Sequence, residues 1–260
     1  MPASVPGDIL SRGGRNDIGG NRRPEIVEVG MLEHQSWHSD ALGYNPASTR
    51  SLRRFARIQT ATECIFAPTA NMWGCPDYDD RLSLPANLHG WLPLFTQFCR
   101  VSESLEIDGV VFELPGPFGD AVEKLGGTTF TILDYLSAND PVKAHCMEAK
   151  IEDATWWFSF AGEKLFVLAF GPCYPSTNSR YGFQTGRTYL VFQPVHCFSR
   201  RIPDGAIHKS RRTREEIRRR YTKAGRPYDV TITLSPYEAY RYVKPVQLGQ
   251  PPVKWWRETD

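Results

Sequence analysis

The sequence predicts an α+β fold in which a predominantly antiparallel central sheet is covered by helices. Strand-like runs cluster in the middle of the chain and do not alternate regularly with helical segments, which disfavours a doubly wound parallel sheet. With 260 residues, of which 41% are hydrophobic, the chain can bury the core of one domain. We therefore expect a single domain over residues 46–260. An extended N-terminal arm over residues 1–45, rich in Gly, Pro, Arg and Asn, is expected to precede it.

The N-terminal half of the domain is predicted to combine helices with short strands. Three apolar side chains share one helical face in residues 51–58, and residues 60–67 are expected to form a strand. A polar loop over residues 68–85 should follow. Residues 87–101 keep an apolar stripe at helical spacing, which indicates a longer helix. The remaining predicted elements are a short strand over residues 110–114 and a helix over residues 128–136.

Three runs rich in aromatic and β-branched residues form the predicted centre of the sheet, at residues 156–160, 165–170 and 189–192. The connection between the first two is short, and its Gly162 can take a positive φ, so these runs are expected to form a β-hairpin. The insert over residues 171–188 contains two prolines that exclude regular structure. A loop held by rigid strands is a common place for functional residues.

The C-terminal part is predicted to begin with a helix over residues 213–221, because Thr213 and Glu216 have the spacing of a capping box. This helix lies in a basic run, residues 200–226, in which 11 Lys or Arg residues face 3 acidic residues. Such a run can indicate a nucleic-acid-binding regulator, which is one alternative function. We interpret it instead as a solvated helix face and expect no nucleic-acid partner. The tail, rich in Pro, Tyr and Trp, is expected to cover the sheet.

Composition places further bounds on location and cofactor class. The formal net charge is +2, no apolar run reaches the length of a membrane span, and the N-terminus lacks the apolar segment of a secretory signal. We therefore expect a cytoplasmic protein without a membrane partner. The six cysteines are scattered and show no C-x-x-C spacing, which argues against a zinc cluster and against covalently attached heme.

Several short blocks of residues resemble the YqcI/YcgG family. The first block comprises Trp157, Phe158, Phe160, Gly162, Glu163, Phe166, Val167, Pro172, Tyr174, Ser179, Arg180, Tyr181, Val191, Gln193 and Pro194. A later block comprises Ile217, Arg218, Arg220, Tyr228 and Asp229, followed by Trp255 and Trp256. The resemblance covers residues 60 to 257, and the blocks follow the family's order and spacing.

The resemblance implies a function, because characterised members of the family are heme-dependent N-hydroxylases. It implies an oxidoreductase, a monooxygenase of antibiotic natural-product biosynthesis that hydroxylates a guanidine or amine nitrogen of an amino acid. The closest implied reaction converts L-arginine to Nω-hydroxy-L-arginine. The implied cofactor is noncovalent heme b, with dioxygen or peroxide as the oxidant. The implied partner is a small amino-acid substrate; an electron-donor protein and a homodimer are further partners left open.

The residues themselves agree with a need for such a cofactor. Side chains alone cannot activate dioxygen, and the sequence shows no dinucleotide fingerprint, no P-loop and no signature of the cysteine-ligated P450 enzymes. A noncovalent heme with a histidine or cysteine ligand is what these exclusions leave. The alternative in the same fold is a heme-binding or sensing protein without enzymatic activity.

Five residues are assigned to the predicted site. His145 is the predicted metal ligand, with His196 or a cysteine as the alternatives. Arg180 is predicted to bind a heme propionate, because a guanidinium fork matches a carboxylate. Ser179 and Tyr174 are predicted to add hydrogen bonds to the cofactor. No residue is assigned a catalytic role.

Glu63 is the predicted substrate-binding residue. It lies among apolar neighbours in the strand expected over residues 60–67, where an ionised carboxylate is costly to bury unless it is paired. A substrate guanidinium or amine could be that partner. A carboxylate that faces solvent is the equally weighted alternative.

Overall fold

A computed structural model describes residues 42–201 and 207–257 of the chain. The α-helices are α1 (Arg50–Ala61), α2 (Leu84–Val101), α3 (Val122–Ala138), α4 (Val195–Arg201), α5 (Ile207–Lys223) and α6 (Val230–Leu234). The strands are β1 (Met72–Gly74), β2 (Gly109–Pro115), β3 (Ser159–Phe160), β4 (Glu163–Phe170) and β5 (Arg187–Pro194). Most of the predicted N-terminal arm lies outside the described residues. Within the described part of the chain, no helix has the length and apolar character needed to cross a membrane.

The five strands form one mixed sheet in the order β1-β2-β5-β4-β3. The α+β class is therefore confirmed. Three neighbouring pairs are antiparallel, but β1 and β2 are parallel, so the expectation of a predominantly antiparallel sheet must be corrected to a mixed sheet. The parallel pair arises because α2 carries the chain back between β1 and β2, as a parallel crossover requires.

The predicted hairpin is present and forms one edge of the sheet. Ser159 pairs with Lys164 and Phe160 with Glu163. The two residues of the turn, Ala161 and Gly162, both have positive φ, +52° and +86°. Two successive positive φ values are the requirement of a type I′ turn, whose twist matches that of the strands it joins.

Two of the predicted elements are wrong: the strand over residues 60–67 is absent, and the helix predicted to begin at Thr213 begins earlier. Residues 60–67 form no strand: α1 runs through Ala61, and the Thr62 N–H still bonds to the Ile58 carbonyl. A short apolar run beside a helix has the same composition whether it is strand or loop, so periodicity alone could not separate them. The second error concerns Thr213, which lies inside α5 because that helix begins at Ile207. Glu216 accordingly pairs with Arg219 and Arg220 on the helix surface, not with a cap.

The two faces of the sheet are covered differently. On one face, Phe95 of α2 packs its ring 4.8 Å from that of Phe192, in a core that α2 and α3 cover fully. On the other face, Phe55 of α1 meets Tyr189 with ring centroids 5.3 Å apart. Phe192 and Tyr189 both belong to β5 but point to opposite faces of the sheet, because side chains alternate along a strand. Beside α1, this second face is left with an internal space.

The C-terminal tail returns to the sheet and closes the domain. The rings of Tyr242 and Trp255 stack at 5.6 Å, and both residues are buried. The Tyr242 hydroxyl donates to the Leu165 carbonyl at 3.1 Å, which ties the tail to β4. The expectation that the aromatic tail covers the sheet agrees with this arrangement.

Candidate functional site: an apolar cavity with a buried arginine

A cavity of about 380 Å³ lies between α1, the second face of the sheet, α5 and the loop over residues 171–186. Its volume is within the range of small-molecule sites. The strand side chains that line it, such as Leu168, Phe170 and Val191, belong to the face that α1 leaves partly open. Ile217 and Tyr221, four residues apart on α5, close the opposite wall. The lining is therefore mostly apolar and aromatic.

Arg180 is a buried charged group of this cavity without a counter-ion among the described residues. The residue is only 6% exposed, and its guanidinium lies 5.4 Å from the centroid of the Phe170 ring. Nη2 donates to the Arg241 carbonyl at 3.0 Å. Among the described residues, no carboxylate lies within ion-pair distance of Arg180, and this is the guanidinium's single hydrogen bond. Burial lowers the pKa of Arg180 below its ordinary value, with nearby tyrosines acting in the opposite direction.

The loop holds Arg180 in place through Asn178. The Arg180 N–H donates to Asn178 Oδ1 at 2.8 Å. Asn178 Nδ2 in turn donates to the carbonyls of Pro245 and Val246, at 3.1 and 2.9 Å. The guanidinium is thus fixed by the loop and the tail together. A buried cation with four unused donors is arranged to receive an anionic ligand.

Of the three residues predicted to bind the cofactor, the structure brings two together. Ser179 and Arg180 both line the cavity. Tyr174 is buried beneath the loop. Its hydroxyl donates to the Lys244 carbonyl at 2.8 Å and accepts a hydrogen bond from the Lys244 N–H at 2.9 Å. Tyr174 is not among the residues that line the cavity. The contacts of Tyr174 support the loop that carries Arg180, and its predicted bond to the cofactor stays a prediction.

Glu63 lies at the margin of the cavity and already has a cationic partner. Its side chain is 12% exposed and forms an ion pair with Arg226, whose Nε donates to Oε2 at 3.1 Å. The Arg226 guanidinium also lies 5.1 Å from the centroid of the Phe183 ring. The neighbouring Cys64 lines the cavity. The site predicted for a substrate guanidinium is thus occupied by a guanidinium of the chain itself.

His145 does not lie with Ser179 and Arg180 in the structure. It has a φ of +47°, its side chain is 44% exposed, and Nδ1 is 3.2 Å from Glu148 Oε1. It is not among the residues that line the cavity. Its role as metal ligand stays a prediction.

His196, the alternative ligand, lies in the first turn of helix α4, next to the cavity residue Cys197. Its Nδ1 is 3.4 Å from Glu163 Oε2, and its buried Nε2 has no hydrogen-bond partner within residues 42–201 and 207–257. The next residue, Cys197, does line the cavity. Of the possible iron ligands, the cysteines Cys64 and Cys197 are therefore the ones that line the cavity of Arg180.

Sequence reasoning missed the tyrosines of the cavity. The Tyr221 hydroxyl lies 2.6 Å from Thr62 Oγ1, and the Tyr221 and Tyr228 rings meet edge to face at 4.5 Å. Burial raises the pKa of both phenols. Tyr228 belongs to a block that carried the family resemblance, so a signal was available. Its convergence with Tyr221 depends on tertiary packing.

The lining can be tested for its fit to heme. Phe55, Phe166 and Phe170 offer aromatic and apolar surface for a porphyrin ring, and Arg180 offers a buried cation for a propionate. Two lining residues, Cys64 and Cys197, have side chains of a type that binds heme iron. No histidine lies among the described lining residues. The lining therefore offers apolar surface for the ring, a cation for one carboxylate, and sulfur as a donor for the iron.

The fold and the cavity define a class of protein: an α+β domain in which an apolar cavity with a buried arginine lies beside a helix-covered mixed sheet. The sequence model described as the YqcI/YcgG family matches residues 64–242, which is more than half of the chain. The chain belongs to the YqcI/YcgG family. No curated protein and no solved structure matches it.

Proposed function

We propose that the protein binds heme b noncovalently in the cavity at Arg180 and acts as a monooxygenase on an amino acid. The proposed reaction hydroxylates a guanidine or amine nitrogen, with L-arginine as the leading substrate. The observation that carries the proposal is the buried Arg180 guanidinium, which has one hydrogen bond and no described counter-ion inside an apolar cavity. Such a group is costly to bury unless a bound anion compensates it.

The roles of the chain's own residues follow from their positions. Heme, when bound, supplies the activation of dioxygen or peroxide that side chains cannot provide. Arg180 would hold a propionate, and Cys64 or Cys197 would hold the iron. The aromatic walls exclude water, which strengthens every electrostatic interaction inside the cavity.

The contact between Glu63 and Arg226 suggests how the substrate is recognised. The carboxylate already binds a guanidinium at the margin of the cavity. A substrate arginine would take the place of Arg226 on Glu63. A carboxylate partner is needed because a guanidinium keeps its charge at every physiological pH.

The first experiment is a hemin titration of the purified full-length protein, followed through the Soret absorption band. Arg180→Ala should weaken hemin binding by about tenfold to a hundredfold, since a charge-assisted hydrogen bond contributes roughly 1.5–3 kcal/mol. Arg219→Ala is the matched control, because Arg219 is 66% exposed and pairs with Glu216 on the outer face of α5. A wild-type titration in which the Soret band stays identical to that of free hemin, without a saturable shift, would contradict the proposal.

A second set of variants identifies the iron ligand. Cys64→Ser, Cys197→Ser and His145→Ala should be compared by their heme spectra. Loss of the characteristic heme spectrum in Cys64→Ser or Cys197→Ser supports a cysteine of the cavity as the iron ligand. Loss in His145→Ala alone supports His145, the ligand predicted from the sequence. Far-ultraviolet circular dichroism verifies that each variant is folded.

Turnover separates the enzyme from a heme-binding protein without activity. L-arginine is incubated with the heme-loaded protein and either peroxide, or dioxygen with a reductant, and Nω-hydroxy-L-arginine is measured by mass spectrometry. Product above the heme-only background supports the monooxygenase. Tight heme binding without product from arginine or lysine supports the alternative of a heme-binding or sensing protein.

A further inference from the structure

A second cavity, of about 460 Å³, lies on the far side of the Arg180 loop. It is enclosed by loop residues 175–179, by residues 225–229 that connect α5 to α6, and by tail residues 244–248. Ser179 lines both cavities, and Lys244 lines only the second. The heme proposal gives no role to Lys244 or Asp229, which line this second space.

Lys244 is an unusual lysine because it is buried. The residue is 5% exposed, and its Nζ lies 4.3 Å from the centroid of the Tyr228 ring. No carboxylate lies within ion-pair distance of it in the part of the chain that the structure describes. Its backbone is held from both sides by Tyr174, whose hydroxyl bonds to the Lys244 N–H and carbonyl. The backbone of Lys244 is therefore held in place, and its amine is buried against the Tyr228 ring.

The surroundings of Lys244 favour its uncharged form. Burial lowers its pKa well below the ordinary lysine value, and the positive charge of Arg180 acts in the same direction. Asp229 opposes this shift, and Arg241 adds to it. An uncharged lysine carries a free electron pair on nitrogen and is a nucleophile.

The charge of the second cavity indicates the kind of ligand. Asp229 also lines it, and the carboxylate is fixed by the N–H groups of Ile232 and Gly249, both at 3.1 Å. A carboxylate that faces the same space disfavours an anionic ligand. An amine without a carboxylate partner that lines such a cavity is instead suited to a carbonyl compound, since the amine attacks the carbonyl carbon.

We propose that the second cavity is a site for an aldehyde ligand, with which the Lys244 amine forms an imine. The nitrogen electron pair attacks the carbonyl carbon, and the carbon–oxygen π pair moves to oxygen. The two nitrogen protons and the oxygen leave together as one molecule of water, and the carbon–nitrogen double bond remains. Solvent carries the protons from nitrogen to oxygen. The step involves no oxidation and needs no co-reactant.

The test uses the full-length protein at neutral pH, pyridoxal as the aldehyde probe, and borohydride to reduce each imine to a stable amine. Peptide mass spectrometry then gives the labelling rate of each lysine. Lys124 is the internal reference, since it is 60% exposed and pairs only with Asp120 on the surface. Lys244 should be labelled at least tenfold faster than Lys124, because each unit of pKa lowering raises the unprotonated fraction about tenfold.

Two controls make the result specific. In urea the unfolded protein should label both lysines at similar rates, since the preference belongs to the folded state. Lys244→Arg keeps the positive charge without the nucleophile, so it should lose the fast adduct and keep the slow adduct at Lys124. Lys244→Met serves the same purpose if the arginine does not fit. Labelling of Lys244 no faster than of Lys124 in the folded protein overturns the proposal. The experiment is run without heme, so its outcome is independent of the proposed monooxygenase.

Discussion

The side chains of Glu63 and Arg226 are 163 residues apart in sequence and form an ion pair at the margin of the Arg180 cavity. Both are mostly buried, with side chains 12% and 17% exposed. The pair joins the segment that follows α1 to the segment that follows α5. It also shows that this carboxylate can hold a guanidinium group.

We expect Glu63→Gln and Arg226→Ala each to lower the free energy of unfolding by about 1–3 kcal/mol, since each leaves a mostly buried charge without its partner. The double variant should lose less than the sum of the two, and urea unfolding of all four proteins gives the coupling energy. The exposed pair Arg211 and Glu215 on α5 is the control, with an expected coupling below about 0.5 kcal/mol. Equal coupling in both pairs would rule out a special role for Glu63.

The same variants test whether Glu63 can receive a free guanidinium. Arg226→Ala leaves the carboxylate without its natural partner, so millimolar L-arginine should raise the Tm of this variant more than L-lysine does. In the double variant with Glu63→Gln the effect of L-arginine should disappear. A Tm increase of the same size in both variants would show that arginine binds elsewhere.

Arg180→Met should leave the ligand-free protein as stable as the wild type or more stable by up to about 2 kcal/mol, measured by urea unfolding. The physical reason is that an apolar side chain of similar length removes the cost of burying an unpaired cation. Hemin binding by the same variant should weaken. In Arg180→Met the free energy of unfolding is therefore expected to stay equal or rise while the affinity for hemin falls. A loss of stability greater than about 1 kcal/mol would instead indicate that Arg180 has a mainly structural role.

Lys244 should make the stability of the folded protein depend on pH. Because burial lowers its pKa in the folded state, the unfolded chain binds more protons between that lowered pKa and the ordinary value of about 10.4. Stability attributable to Lys244 therefore rises with pH across this window and falls as the pH is lowered. Urea unfolding from pH 7 to pH 10, chosen as roughly this window, should show a steeper rise in wild type than in Lys244→Met.

The control for this pH profile is Lys124→Met, which removes an exposed lysine. Its profile should run parallel to that of the wild type. If Lys244→Met also ran parallel, Lys244 would be protonated in the folded state, and its proposed reactivity towards aldehydes would lose its physical basis.

Much of the fold could be read from local sequence signals. The hairpin was predictable because two strand-like runs flank a connection that contains Gly162. By contrast, β1 has only three residues and lies in a segment that was expected to be a loop. It becomes a strand because Met72 and Trp73 find parallel partners in β2, 37 residues away in the chain. Pairing at that distance leaves no local pattern.

The candidate site could be predicted in part. Ser179 and Arg180 could be predicted because a loop held by rigid strands is a common place for functional residues, and because a guanidinium fork matches a carboxylate. The role of Tyr174 was not readable, since its hydroxyl bonds to the backbone of Lys244, 70 residues away. The inclusion of Cys197 and Tyr221 in the cavity likewise depends on how α4 and α5 fold back over the sheet.

The two hydrogen bonds between Tyr174 and the Lys244 backbone also bear on how a large ligand enters. They link the loop beside the first cavity to the tail beside the second, and Asn178 adds two more bonds to the same tail. We expect these bonds to couple the two segments, so that they open together as one of the cooperative units that amide hydrogen exchange detects. A ligand that displaces the loop at the first cavity would then also loosen the tail at the second.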